Sequence, residues 1–97
     1  MTKEEINQSK YFDPFTRMIG LEVEELRPDG LTAKARLKRE FCNTYSSAHG
    51  GYVYSVGHAA ALLSAGLCLD RRAVTVDVSN EYECSLTGPY ALSLIHI

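Results

Sequence analysis

The chain has 97 residues, of which 45% are hydrophobic and 23% are charged, and its formal net charge is −2. This length suits one small domain, and this apolar content excludes a fully disordered chain. The basic residues form no patch: the densest group is Arg36, Lys38 and Arg39, and alternation places these on a solvated strand face, so nucleic acid is not an expected partner.

The first residues, "MTKEEINQSKYF", are charged and lack the apolar core of a signal peptide. The apolar runs are expected to fall short of the ~20 residues that span a bilayer, so no membrane partner is expected. The cysteines, Cys42, Cys68 and Cys84, are odd in number and form no C-x-x-C motif. A reduced, cytoplasmic setting is the simplest interpretation.

Residues from about Lys3 to Met18 carry a short helical pattern that Asp13 and Pro14 interrupt. Asp13 is a plausible N-cap with Pro14 at the first helical position, and Gly20 ends the pattern. "LEVEEL" and "LTAKARLKR" then alternate apolar and polar residues on either side of the turn "RPDG". The sequence therefore predicts a β-hairpin, with the alternate apolar residues from Leu31 to Leu37 on one side.

A loop, "EFCNTYSSAHGG", leads into "YVYSVGHAAALLSAGLCL", which is apolar almost all round. Such a pattern predicts a helix that is buried rather than half exposed. Its many small residues suggest that another backbone lies close. "AVTVDVSNEYE", residues 73–83, alternates again and predicts a third strand. This order predicts an α+β domain in which an antiparallel sheet wraps around a long central helix.

The last six residues, Leu92 to Ile97, read "LSLIHI", which one reading frame of the common sequencing-library transposase adapter also encodes. We interpret residues 92–97 as an adapter artefact, with a natural apolar strand as the alternative. Residues 1–91 would then be a single, incomplete domain, truncated at its C-terminal end, and the lost part would supply further strands.

The chain from about Phe12 to Tyr90 resembles the PaaI-like branch of the hotdog-fold acyl-CoA thioesterases. The resemblance rests on "FTRMIGLEVEELRPDGLTAKARL", on Asn43 placed six residues before the "HGG" of His49, on the small-residue helix, and on "AVTVDVSNEYE". It implies the hotdog fold, a homodimer or homotetramer, and hydrolysis of acyl-CoA thioesters without a metal or other cofactor.

The resemblance also implies roles for individual residues. The family's asparagine falls on Asn43, its histidine on His49, its backbone oxyanion donor on Gly50, and a hydroxyl that helps to place water on Thr75. Physical chemistry supports a site there, because a helix N-terminus presents free N–H groups and thioester hydrolysis develops an oxyanion. Glycine, including Gly51, lets the substrate carbonyl approach the backbone.

His58 departs from the family pattern. The family usually has an aspartate or glutamate nine residues after the "HGG" histidine, where this chain has His58. It would lie roughly 10 Å up the helix axis from the first turn, so a shared site would join His49 of one subunit to the partner subunit's His58. His58 would replace the carboxylate as general base, and Tyr54 would lie beside it on the helix face that opens onto the interface cleft and contacts the substrate.

Simpler interpretations stay open for each of these residues. His49 alone fits a helix cap, Asn43 a turn residue, Thr75 an ordinary strand residue and His58 a satisfied core histidine. At the level of function, the alternative is a protein that binds acyl-CoA or another acyl thioester without hydrolysing it, because the carboxylate is missing. A hotdog dehydratase or hydratase, which also uses a histidine, fits the loop less well.

Overall fold

The computed structural model describes residues 2–69, 73–82 and 84–96. In chain order the elements are helix α1 (Lys3–Asn7), helix α2 (Pro14–Met18), strand β1 (Glu22–Arg27), strand β2 (Gly30–Arg36), a 3₁₀ turn (Arg39–Phe41), helix α3 (Gly50–Leu69) and strand β3 (Tyr90–His96). The strands form one antiparallel sheet in the order β1-β2-β3, and α3 packs against β2 and β3. The α+β arrangement of sheet and long helix is confirmed.

The start of α2 follows the predicted capping pattern. The Asp13 carboxylate accepts a hydrogen bond from the Thr16 backbone N–H at 2.8 Å, and Pro14 occupies the first helical position. Gly20 follows the helix with a φ of 75°, a left-handed conformation that glycine adopts without steric cost. This turn directs the chain into β1.

The predicted hairpin is confirmed, and its register places one face in the core. Leu31, Ala33 and Ala35 of β2 are buried against α3, as their alternation predicts. In β1 the alternation breaks, because the register shifts between Val23 and Glu25 at a β-bulge. The bulge leaves one more residue on β1 than on β2 at that point, so the strand bends there.

Strand β3 pairs with β2 without interruption from Tyr90 opposite Arg36 to His96 opposite Gly30. It therefore includes most of the stretch that we interpret as adapter-derived, and Ile97 lies outside the described residues. An alternating apolar stretch pairs with a free strand edge whatever its origin. The domain boundary at residue 91 consequently stays a prediction.

Helix α3 buries one face, not its whole circumference. The buried positions of its first four turns, Tyr52, Val56, Ala60 and Leu63, recur at the three- and four-residue spacing of a single stripe. Tyr54 and Leu69 are exposed. The prediction that α3 is buried all round is therefore wrong for the described chain, because a sheet of three strands covers one side of a helix and leaves the other side open.

The small residues of α3 differ in how closely the described chain packs around them. A Cβ atom built on Gly57 meets no atom of the described chain within 4 Å. Glycine at this position is thus not required by a neighbouring backbone of the described chain, and for the rest of the helix the expectation of close backbone packing stays a prediction. The hydroxyl of Ser64, by contrast, is completely buried and none of the described residues bonds to it.

The predicted third strand is also wrong. Residues 73–82 have no regular secondary structure, and Glu83 lies outside the described residues. Val74 and Val76 are 77% and 97% exposed. The physical reason is that a strand needs a neighbour to accept and donate its backbone hydrogen bonds, and no strand of the described chain lies beside this segment.

Within the described ranges, one helix, α3, is long and apolar enough to cross a membrane by length and composition. The expectation that the apolar runs fall short of that length is therefore wrong. Core helices of soluble proteins pass the same test, and α3 packs its buried stripe against β2 and β3. The length of α3 is thus weak evidence for a membrane span.

Candidate active site

Asn43 organises the loop that precedes α3. Its side-chain oxygen accepts hydrogen bonds from the Tyr45 N–H at 2.9 Å and from both the N–H and the hydroxyl of Ser47 at 3.2 Å. Its own N–H donates to the Ser47 carbonyl at 2.7 Å, and Ser46 takes a positive φ of 64° between them. Asn43 therefore acts as a turn residue that fixes the loop leading to His49 and to the start of α3.

His49 caps the first turn of α3. The Gly51 backbone N–H donates to His49 Nδ1 at 2.9 Å, and the His49 carbonyl accepts from the Tyr52 and Val53 N–H groups. A Cβ atom on Gly51 would lie 3.1 Å from Nδ1, so glycine leaves the space that the imidazole occupies. Because Nδ1 is an acceptor, a neutral His49 ring carries its proton on Nε2, and the exposed ring offers that N–H outward.

Gly50 lies between these contacts. None of the described residues accepts a hydrogen bond from the Gly50 N–H, as expected for the first residue of a helix. Its carbonyl accepts a hydrogen bond from the Tyr82 hydroxyl at 2.7 Å. The Gly50 N–H and the Nε2–H of a neutral His49 are thus two donors near the positive end of the α3 dipole, and each suits a negative oxygen.

Tyr52 lies beneath this first turn. Its ring stacks on Phe41 with a centroid separation of 4.8 Å, and its hydroxyl donates to the Arg36 carbonyl at 3.4 Å. Burial raises the pKa of the Tyr52 hydroxyl above its ordinary value of 10.0. Tyr52 is thus uncharged at neutral pH, and its packing against Phe41 stabilises the turn that His49 caps.

His58 lies further along α3 and contacts the segment that follows the helix. Its Nε2 is 2.7 Å from the Thr75 hydroxyl oxygen, and its ring lies 5.8 Å from the Tyr54 ring at a 44° tilt. Either partner of the His58–Thr75 pair can donate, depending on the imidazole tautomer. The half-buried His58 therefore has a polar partner, which a core histidine needs.

Two depressions border the outer part of α3. A groove of about 250 Å³ includes His49 and Gly51, and a cavity of about 760 Å³ includes His58. Phe15 and Ser55 line both. The structure thus places the two histidines in different, adjoining depressions, and it brings Thr75 and Tyr54 to His58 rather than to His49.

Sequence reasoning missed Tyr82 and the residues shared by the two depressions. The alternation of residues 73–83 offered no signal for Tyr82, because in a regular strand it would face away from Thr75. In the structure both side chains reach α3. Phe15 gave a weak signal as an aromatic residue on a very short helix.

Comparison with solved structures finds several strong matches. A thioesterase from Haemophilus influenzae has a TM-score of 0.81 and 18% identity over 95% of this chain and 65% of that one. A variant of the phenylacetic acid degradation protein PaaI from Thermus thermophilus has a TM-score of 0.72 and 23% identity, covering 82% and 69%. AziG from S. sahachiroi has a TM-score of 0.70 and 26% identity, covering 78% and 62%.

The chain thus spans about two thirds of the length of these proteins. Comparisons with protein-family models and with curated proteins find no match. The TM-scores of these matches nevertheless show that the described chain, with its antiparallel sheet and long helix, has the hotdog fold of these solved structures.

Proposed function

We propose that this protein hydrolyses acyl-CoA thioesters as a homodimer or larger homo-oligomer. The observation that carries the proposal is the first turn of α3, where the His49 imidazole caps Gly51 and leaves the Gly50 N–H without an acceptor in the described chain. Donors fixed before the reaction stabilise a developing oxyanion strongly, because they need no reorganisation. The fold shared with solved thioesterases supports the same conclusion.

In this mechanism the thioester carbonyl oxygen lies against the Gly50 N–H and the His49 Nε2–H. As water adds to the carbonyl carbon, the negative charge forms on that oxygen, between donors and a helix N-terminus. Asn43 acts through the loop it fixes, and Gly51 lets both the imidazole and the substrate approach the backbone.

The attacking water needs a base. We assign this role to His58, with Thr75 holding the imidazole and helping to place water, and with Tyr54 beside the substrate. General-base assistance is typically worth 10²–10⁴-fold in rate. Because His49 and His58 of one chain line different depressions, the base is supplied to each first turn by the partner's His58.

A second candidate function is binding of acyl-CoA without hydrolysis. The observation that favours it is the 2.7 Å contact between His58 Nε2 and the Thr75 hydroxyl, which occupies one of the two imidazole nitrogens able to take a proton from water. A protein of this kind would retain the donors of the first turn and bind the thioester carbonyl. Tight binding of an acyl-CoA with negligible coenzyme A release would identify it.

The proposed setting is the cytoplasm. Cys42, Cys68 and Cys84 are all free thiols, which is the usual state in a reducing compartment.

Coenzyme A release from a panel of acyl-CoA thioesters tests the proposed function. His49→Ala and Asn43→Ala should each lower kcat/KM by at least about tenfold, which is ~1.4 kcal/mol of transition-state stabilisation. Asn80→Ala is a matched control, since Asn80 is exposed. Folded His49→Ala protein with unchanged turnover would reduce His49 to a helix cap and refute the mechanism.

A further inference from the structure

One peptide group at the start of α3 is held at both ends. The Gly50–Gly51 peptide accepts a hydrogen bond from the Tyr82 hydroxyl on its carbonyl oxygen, at 2.7 Å. Its N–H donates to His49 Nδ1 at 2.9 Å. The order of groups is therefore tyrosine hydroxyl, peptide carbonyl, peptide N–H, imidazole Nδ1 and imidazole Nε2–H.

We infer that Tyr82 is a positioning residue for this site, acting through the Gly50–Gly51 peptide on the orientation and tautomer of His49. The inference rests on the proposed function, in which the Nε2–H of His49 donates to the thioester. Tyr82 touches neither the substrate nor the reacting atoms in this arrangement. Its effect is transmitted by two hydrogen bonds and one peptide plane.

Two physical effects support this role. Hydrogen bonds in series polarise one another, so donation to the Gly50 carbonyl makes the Gly51 N–H a better donor to Nδ1. A stronger bond at Nδ1 holds the proton of the neutral ring on Nε2, because the hydrogen bond at one imidazole nitrogen determines which form the other nitrogen takes. The two hydrogen bonds also restrict rotation of the Gly50–Gly51 peptide plane, which keeps the His49 ring in one orientation.

The surroundings of Tyr82 distinguish this role from that of a core anchor. Its side chain is 58% exposed and belongs to a segment without regular secondary structure. Its ring atoms lie 3.4 Å from the place where a Cβ of Gly50 would stand, which is contact distance. The hydrogen bond and the ring contact of Tyr82 are thus both made to Gly50, the glycine whose N–H faces the proposed oxyanion.

A hydroxyl deletion tests the inference while keeping the ring. In the full chain, Tyr82→Phe should lower kcat for an acyl-CoA about fivefold, or ~1 kcal/mol at ~1.4 kcal/mol per tenfold, with KM unchanged. Tyr90→Phe is the matched control, because Tyr90 lies on β3, where its ring contacts Lys34. It should keep the wild-type kcat.

The second readout is the ¹⁵N NMR signature of the His49 imidazole, which reports the tautomer without any substrate. Tyr82→Phe should shift the Nδ1 and Nε2 signals toward each other, as the preference for the Nε2–H form weakens, and Tyr90→Phe should leave them in place. A folded Tyr82→Phe protein with unchanged imidazole signals would overturn the inference, as would a rise in KM at constant kcat.

The two readouts separate the inference from the proposed function. If wild-type protein releases coenzyme A from no thioester, hydrolysis is refuted, and the imidazole signals still decide whether Tyr82 positions His49. If wild-type protein is active and Tyr82→Phe is equally active with unshifted signals, hydrolysis stands and the positioning role is refuted.

Discussion

Replacing Gly51 with alanine tests the first turn of α3 more sharply than replacing His49, because it removes no polar group from the chain. The added Cβ would lie 3.1 Å from His49 Nδ1 and 3.4 Å from Cε1. The backbone itself can accept alanine, since Gly51 has no left-handed φ. The imidazole must therefore move by several tenths of an ångström, and its 2.9 Å bond to the Gly51 N–H is strained or lost.

The matched control is Gly57→Ala in the same helix, where the added Cβ meets nothing within 4 Å. Alanine is favoured over glycine in a helix interior by about 1 kcal/mol, so Gly57→Ala should raise the melting temperature by on the order of 4 °C and keep wild-type turnover. Gly51→Ala should gain less stability and lose at least about tenfold in kcat, ~1.4 kcal/mol.

Thermal melting and coenzyme A release on the two purified variants are the measurements. The decisive comparison is the ratio of their kcat values. If Gly51→Ala turns over as fast as Gly57→Ala, the position of the His49 ring does not matter for the reaction, and the oxyanion argument fails.

His58→Ala should nearly abolish coenzyme A release while acyl-CoA binding survives. A rise in turnover in His58→Asp would instead identify the wild type as the non-hydrolytic binder. Equal rates in the wild type and both variants would reject His58 both as the base and as the replacement of a lost carboxylate. Ser64→Ala should raise the free energy of unfolding by about 1 kcal/mol in urea titrations, since the buried hydroxyl has no partner in the described chain, and destabilisation would show that Ser64 is bonded. The Thr16 N–H holds the pKa of Asp13 below its usual 3.8, so Asp13→Ala should cost about 1 kcal/mol at neutral pH. The stability that the Asp13 cap contributes is fully present above the ordinary pKa of an aspartate and is lost as the pH falls through the lowered pKa of Asp13. A stability difference between wild type and Asp13→Ala that persists undiminished in strong acid would contradict this.

The hairpin and the start of α2 could be predicted because their signals are local. Alternation over Leu31, Ala33 and Ala35 decides which face of β2 is buried, and Asp13 followed by Pro14 decides where α2 begins. The bulge in β1 could not be predicted, since a one-residue shift depends on how β1 packs against both neighbours rather than on its own pattern.

The wrong predictions for α3 and for residues 73–82 have a common physical origin. Whether an apolar surface is buried depends on which other elements of the fold pack against it. The apolar residues around α3 and the alternating residues 73–82 show which surfaces of these segments are suited to burial, and not whether another element covers them. Whether Val76 is buried depends on a neighbouring strand, and in the described chain it is 97% exposed. Pattern alone therefore overestimates burial wherever the neighbour is missing.

In the structure His49 and the glycines stand at the start of α3 and Asn43 in the loop before it, where the sequence pattern puts them, because a helix start has recognisable residues. Their catalytic roles stay predictions. The sequence pattern could not locate Tyr82, whose position in an alternating pattern would place it opposite Thr75. Both side chains reach α3 because residues 73–82 are irregular and can turn either way.

The bulge in β1 also makes the two margins of the sheet unequal. Along β1, the shifted register and the charged run Glu22 to Arg27 interrupt the row of backbone groups that another strand would need. Along β3, seven consecutive residues pair regularly with β2, so its far side is a straight margin of roughly 23 Å. In the described chain the regular edge of β3 is therefore the better template for a further strand, and the bulged edge of β1 is the poorer one.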